Sequence, residues 1–234
     1  RVLDIGCGNG VLMELLVAER GVDARGLELS QQGVNACVSR GLAVVQGNAD
    51  TDLSYYPDQG FDTVILSQTL QATQRPKEVL QEMSRIGSKL IVSIPNFGHW
   101  RIRLALALRG RMPETQALSA TWYETANIHL CSMLDLIDLC DALSLRVETC
   151  LTVTHGKVPV AVADPAGRAG GFRTHPLARA PVVFFRDRTP REKAGRTGTP
   201  KPTFCRRLAR MGAGTCLTIS TTQTPPICGN NSAN

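Results

Sequence analysis

The sequence predicts a doubly wound α/β fold, a mostly parallel sheet covered by helices on both faces. Short apolar strands alternate with helices of about ten residues from the first residue onward. A glycine-rich turn, D-I-G-C-G-N-G (Asp4 to Gly10), lies between the first strand and the first helix, where such sheets bring a ligand against the backbone. At 234 residues, 43% hydrophobic and 20% charged, the chain can hold one domain of this kind and an appendage.

R-V-L-D-I reads as a short buried strand. Val11 to Arg20 carries Leu12, Leu15, Leu16 and Ala18 at helical spacing, and Gly21 ends that helix. Ala24 to Leu29 is the second strand; Ser30 caps a helix to Arg40, with Gly41 at its C-terminal stop. Leu42 to Gln46 is the third strand and leads into a polar loop. Phe61 to Ser67 is the fourth strand, Pro76 to Arg85 a helix with proline in its first turn, and Lys89 to Pro95 the fifth strand. Trp100 to Arg111 is helical, yet its apolar residues and its arginines do not separate onto opposite faces, so it has no simple water side. Met112 to His129 is irregular. Ser132 with Asp135 three residues on forms a capping box for a helix through Leu143, and Leu145 to Val153 is a sixth strand.

The chain divides unevenly. Residues 1–154 hold 13 of the 26 Lys and Arg but 17 of the 20 Asp and Glu, so the net charge of +6 belongs to the tail. A mildly acidic domain offers no basic face to a nucleic acid. We expect an α/β domain over 1–153, a region over 154–186 with a last strand at Ala180 to Arg186, and a disordered tail over 187–234, rich in Thr, Pro, Gly and Arg. The first strand begins at Arg1, so the domain is expected to be N-terminally truncated. Eight cysteines include no C-x-x-C and no Cys/His pair at zinc-ligand spacing, so no metal site is expected, and a reduced, cytoplasmic compartment fits best. No apolar run approaches the roughly 18 residues of a membrane span, and no membrane partner is expected.

The glycines discriminate between ligands. A dinucleotide fingerprint needs G-x-G-x-x-G, whereas here they fall at 6, 8 and 10, and Val11 stands where the third would be. Asp4 stands two residues before the first of them. A carboxylate there disfavours a pyrophosphate and favours a cationic ligand such as S-adenosylmethionine, with its ammonium and sulfonium. Glu28, at the end of the second strand, can accept from both ribose hydroxyls of either ligand. In the loop Q-G-N-A-D, Asn48 or Asp50 can accept from the adenine amino group while the Ala49 amide faces a ring nitrogen. Ser67, opening S-Q-T-L at the end of the fourth strand, lies beside the crevice at the sheet's switch point.

V-L-D-I-G-C-G-N-G, F-D-T-V-I-L-S-Q-T-L-Q, I-P-N-F-G-H-W-R-I-R and W-Y-E-T-A-N-I-H-L-C together resemble the methionine biosynthesis protein MetW family, a branch of the class I methyltransferase-like, Rossmann-like fold. The resemblance covers Arg1 to about Val153. The first motif is shared by many methyltransferases, and the last two are more restrictive. The resemblance implies a seven-stranded sheet whose last strands form an antiparallel hairpin, and an S-adenosylmethionine site on Asp4, Gly6, Gly8, Gly10 and Glu28. It also implies a role in methionine synthesis linked to a homoserine O-acyltransferase. Asn48 departs from the family's usual Asp and Ala126 from its usual Pro. From His155 onward there is no match, and an altered reading frame, giving a non-native tail, fits as well as a real extension.

Two functions from different classes follow. The first is an S-adenosylmethionine-dependent methyltransferase of unknown acceptor, small molecule or protein. Methyl transfer needs mainly alignment, with a base only where the acceptor loses a proton; His129, Tyr123 and His99 are the candidates, His129 first because N-I-H leads into a helix. The second is a non-catalytic S-adenosylmethionine-binding partner or regulator of a homoserine O-acyltransferase, for which the Trp100 to Arg111 helix would be the contact.

Overall fold

The computed structural model describes residues 1–112, 114, 121–152, 181–184 and 217–221. Its core is a five-stranded parallel sheet in the order β3-β2-β1-β4-β5: β1 (Val2–Ile5), β2 (Ala24–Glu28), β3 (Ala43–Gln46), β4 (Phe61–Ser67) and β5 (Gly87–Ser93). β1 is central and buried along its whole length, the carboxylate of Asp4 included, while β3 forms the more exposed edge. Strand order reverses between β1 and β4, which places a crevice outside their carboxyl ends.

The period of two along β1 sorts the layers. Leu3 and Ile5 join Val64 and Leu66 of β4 against α3 (Pro76–Ile86) and α5 (Met133–Ala142), through Val79, Leu80, Met83, Leu136 and Cys140. Val2 points the other way and packs with Leu16 of α1 (Val11–Arg20) and Ile65. On that side Met13 meets Cys37 of α2 (Gln31–Ser39). Asp4 therefore belongs to the face covered by α1 and α2.

Helix ends follow the expected chemistry. Gly21 ends α1 in the left-handed region, at φ 61°, the Ser30 hydroxyl accepts from the Gly33 amide at the start of α2, and Ser132 and Asp135 form the reciprocal capping box of α5. α4 (Trp100–Arg109) stops at Gly110, φ 61°, two residues short of the expected Arg111. Short 3-10 turns at Leu53–Tyr55 and Leu70–Ala72 fill stretches that carry no helical signal in the sequence.

The fifth strand differs from expectation at its start. It begins at Gly87 rather than Lys89 and follows α3 with no intervening loop. A Cβ at Gly87 would stand 2.5 Å from Val64 Cγ2 and 3.3 Å from the Phe61 carbonyl oxygen, so only glycine lets the chain turn from helix to strand flush against β4. Gly87, between the ends expected for the helix and the strand, is a packing device.

Backbone pairing beyond β5 involves β6 (Leu145–Thr152), β7 (Pro181–Phe184) and β8 (Leu217–Thr221) and is antiparallel except for one parallel contact between β7 and β8. The expected count of seven strands, the region 154–186 and the tail 187–234 otherwise fall outside the described residues. Among the described residues no helix is long and apolar enough to cross a membrane.

The Gly87 junction makes a direct prediction. Gly87→Ala forces a β-branched core side chain or the α3–β5 corner to shift, and should destabilise the domain by about 1–3 kcal/mol, read as a lowered urea midpoint at unchanged slope.

Candidate functional site

The three glycines after β1 all take left-handed backbone, with φ of 69°, 57° and 76° at Gly6, Gly8 and Gly10. They serve different ends. A Cβ at Gly6 would lie 2.5 Å from Thr69 Oγ1, and one at Gly10 would lie 2.6 Å from Leu42 Cδ1 and 2.8 Å from Cys37 Sγ. Those two let the loop press on its neighbours. At Gly8 a Cβ would meet nothing within 4 Å, so this is the exposed stretch of backbone that a ligand can approach.

Asp4 and Glu28 set the electrostatics. Asp4 is 1% exposed and its Oδ1 has no hydrogen-bond partner among the described residues. Burial, and secondarily the charge of Glu28, push its carboxyl up to about 7. Glu28 is in the opposite situation. Its Oε2 accepts from the Gly8 amide at 2.8 Å, and its Oε1 accepts from the Ser30 amide at 2.9 Å and the Ser30 hydroxyl at 2.8 Å. Three of its roughly four acceptor positions are thus spent on bracing the glycine loop against the start of α2. Two ribose hydroxyls would have to displace one of these donors.

The donor set fits a cation. An orphaned carboxylate oxygen in a buried site is costly until an external donor reaches it. An ammonium or sulfonium would complete the ionisation of Asp4, whereas a pyrophosphate would oppose it. Across the crevice, the Asn48 side-chain oxygen accepts from the Asp50 amide at 2.9 Å. The Asp50 carboxylate accepts from the Gln74 and Arg75 amides at 3.0 and 2.9 Å and so ties this loop to the start of α3. Ala49 packs partly buried against the core. Ser67 ends β4 with its hydroxyl 3.2 Å from that of Ser93.

The candidate catalytic groups sit in different environments. His99 is buried and caps α4, its Nδ1 accepting from the Arg101 amide at 3.3 Å. Tyr123 is exposed and meets Trp122 edge-on, at 5.6 Å between ring centroids. The side chain of His129 is exposed, but its backbone is fixed: the Ile128 and His129 amides both donate to the Gln71 carbonyl, at 2.9 and 3.0 Å. That double contact joins N-I-H to S-Q-T-L-Q. Gln71, 3% exposed, is a site residue that sequence reasoning misses; its one signal is a polar side chain inside a stretch that turns back into the core.

The geometry can be set beside known proteins. The family model for the methionine biosynthesis protein MetW matches residues 1–166 and so runs past Val153. A bifunctional methionine biosynthesis protein MetXA/MetW from Rhodopirellula baltica is 31% identical over 156 residues, 63% of this chain and 25% of the relative. A ubiquinone biosynthesis O-methyltransferase from Aeromonas salmonicida is 32% identical over 107 residues, 41% of this chain and 43% of the relative. The chain thus spans less than half the length of these relatives. Among solved structures, a methyltransferase from Thermotoga maritima dependent on S-adenosylmethionine superposes with a TM-score of 0.54 at 19% identity, covering 79% of this chain and 80% of that one. Another from Archaeoglobus fulgidus gives 0.53 at 16% identity, covering 94% and 84%. At these identities the likeness establishes the class I methyltransferase fold.

Asp4 makes stability depend on pH. Its carboxyl holds a proton in the folded chain up to about 7 but loses it near 3.8 when unfolded, so its contribution falls as pH rises between those values and then levels. The whole fall across that window is on the order of 4 kcal/mol. Urea denaturation at pH 5, 6, 7 and 8 should show Asp4→Asn gaining on the parent chain as pH rises, with the difference flattening by pH 8.

Proposed function

The chain belongs to the methionine biosynthesis protein MetW family, and on that premise we propose that it is an S-adenosylmethionine-dependent methyltransferase of unknown acceptor acting in methionine biosynthesis. The observation that carries the reading is the buried Asp4 oxygen, which has no hydrogen-bond partner among the described residues, beside an open glycine backbone. We assign the methyltransferase-like domain to residues 1–153, working in the cytoplasm.

Asp4 supplies the counter-charge for the ligand's cationic end, and Gly6, Gly8 and Gly10 form the turn that leaves the Gly8 backbone accessible. Glu28 holds that turn in place and offers its remaining acceptor position to the ribose. Asn48, Ala49 and Asp50 form the adenine wall, with the Asp50 carboxylate anchoring the loop rather than reading the base. Ser67 lines the switch point. When bound, S-adenosylmethionine supplies a methyl group activated by positively charged sulfur. The chain's task is to align an acceptor atom and keep water away. His129 is the group that takes up a proton where the acceptor has one to lose, its backbone pinned at the crevice by Gln71. Tyr123 lies on the same segment, and His99 orients the start of α4.

A second reading, as binding partner and regulator of a homoserine O-acyltransferase, is favoured by α4. Of this helix only Ile102 is buried. Trp100, Leu104, Leu108 and Met112 recur every four residues at 37%, 47%, 76% and 40% exposure, flanked by Arg101, Arg103, Arg109 and Arg111. An apolar ridge edged with arginines suits an interface. The relative that joins MetXA and MetW in one chain supports such an association.

Calorimetry of the full chain with S-adenosylmethionine and NAD side by side tests the first reading. S-adenosylmethionine should bind, more tightly at pH 8 than at pH 6 because its cation needs an ionised Asp4, and Asp4→Asn or Gly8→Arg should weaken it at least tenfold. Preferential binding of NAD, or indifference to Asp4→Asn, would overturn it. Transfer of labelled methyl in cell extract, absent in Gly8→Arg, then identifies the acceptor. For the second reading, copurified acyltransferase should be lost from the Leu104→Asp, Leu108→Asp double variant while cofactor affinity is kept.

A further inference from the structure

The turn after β4 carries two features that the cofactor site does not use. Gln68, a non-glycine residue, sits in the left-handed region at φ 56°. It is held there by Ser93: its amide donates to the Ser93 carbonyl at 3.0 Å and to the Ser93 hydroxyl at 2.9 Å, and its side-chain Nε2 donates to the same hydroxyl at 3.2 Å. Strained backbone persists only where its surroundings over-determine it, and such positions cluster at ligand sites.

The second feature is Gln71. Its Nε2 donates to the Gln68 carbonyl at 2.6 Å, and its own backbone carbonyl accepts from Ile128 and His129. Both ends of the residue are therefore fixed. Its side-chain oxygen, Oε1, is buried with no hydrogen-bond partner among the described residues. A buried amide oxygen left without a donor carries its desolvation penalty uncompensated. The cost falls on a rigid group at the carboxyl end of β4, between the turn that presses on Gly6 through Thr69 and the segment carrying His129.

We propose that Gln71 is a specificity-determining residue, whose side-chain oxygen accepts a hydrogen bond from an amine or alcohol on the ligand that occupies the crevice beside the cofactor. The inference rests on the reading of this crevice as an S-adenosylmethionine site and narrows its acceptor class. With Nε2 turned to the Gln68 carbonyl, Oε1 is the atom left to be satisfied, so it selects N–H and O–H groups and disfavours a carboxylate or phosphate at that point, whose oxygens would face Oε1 with no proton between them. Because the Gln71 carbonyl also pins Ile128 and His129, the residue that reads the ligand also fixes the backbone carrying the candidate base.

The test uses isotopically labelled full chain saturated with S-adenosylmethionine, titrated with n-butylamine, n-butanol and n-butyrate. These three probes match in size and differ in the end group. The amine and the alcohol should shift the Ile128 and His129 amide resonances, and butyrate should not. Gln71→Met should weaken both responses at least tenfold while cofactor affinity is retained. Gln71→Glu, which keeps an acceptor oxygen, should preserve the response to the amine; a merely structural glutamine would lose it in both variants. The proposal is overturned if butyrate acts like the other two, if Gln71→Met responds as the parent does, or if no probe moves these resonances in cofactor-loaded protein. Failure to bind S-adenosylmethionine at all would instead overturn the reading of the crevice on which the inference rests.

Discussion

The carboxylate of Glu28 holds the ligand end of this domain together. One oxygen takes the Gly8 amide and the other takes the amide and hydroxyl of Ser30. The glycine loop after β1 and the first turn of α2 are therefore fixed to the end of one strand. The close approach this demands explains Gly33, where a Cβ would stand 2.7 Å from Glu28 Cγ and 2.8 Å from the Gly8 carbonyl oxygen. It also explains why Cys37 comes to lie beneath the loop, its thiol 3.4 Å from that same oxygen. Remove the carboxylate and the left-handed backbone at Gly8 loses its restraint.

Asp4 contrasts with Glu28, and the contrast divides labour between two acids. Glu28 is satisfied by its own chain and keeps the loop's shape. Asp4, one strand over, is buried without compensation. Burying such a group costs stability near neutral pH, a cost that the cationic ligand proposed for this site would offset. The exposed arginines of α4 belong to a different problem. They sit on a mildly acidic domain, beside apolar side chains that the described core leaves uncovered.

Much of the fold is legible in the sequence because its signals are local. The periodicity of the first five strands, the caps at Ser30 and Ser132 and the stop at Gly21 depend on residues a few positions apart. The glycine spacing with Asp4 before it points to the crevice for the same reason. What escapes depends on distant partners. The role of Gly87 emerges only when Val64 is placed beside it, and the anchoring of the Asp50 carboxylate only when Gln74 and Arg75 come round to donate to it. His99, a proton-transfer candidate in the sequence, also caps α4 through Nδ1, a contact its motif does not announce. Gln71 offers little more than a polar side chain in a stretch that turns back into the core, because an orphaned atom is defined by everything that fails to surround it.

The junction at Gly87 reaches further than its own corner. α3 is locked into the core by Val79, Leu80, Met83 and Ile86, and β5 departs from it without slack. At its far end the same strand delivers Ser93, whose hydroxyl and carbonyl hold Gln68 in its left-handed turn. At about 3.3 Å per residue, β5 is a strut of fixed length between a buried helix and the mouth of the crevice. Lengthening or shortening it by one residue would turn the Ser93 side chain to the opposite face of the sheet. Variation at this end of the domain is thereby confined to side chains on the turns, and the sheet beneath them acts as a common ruler.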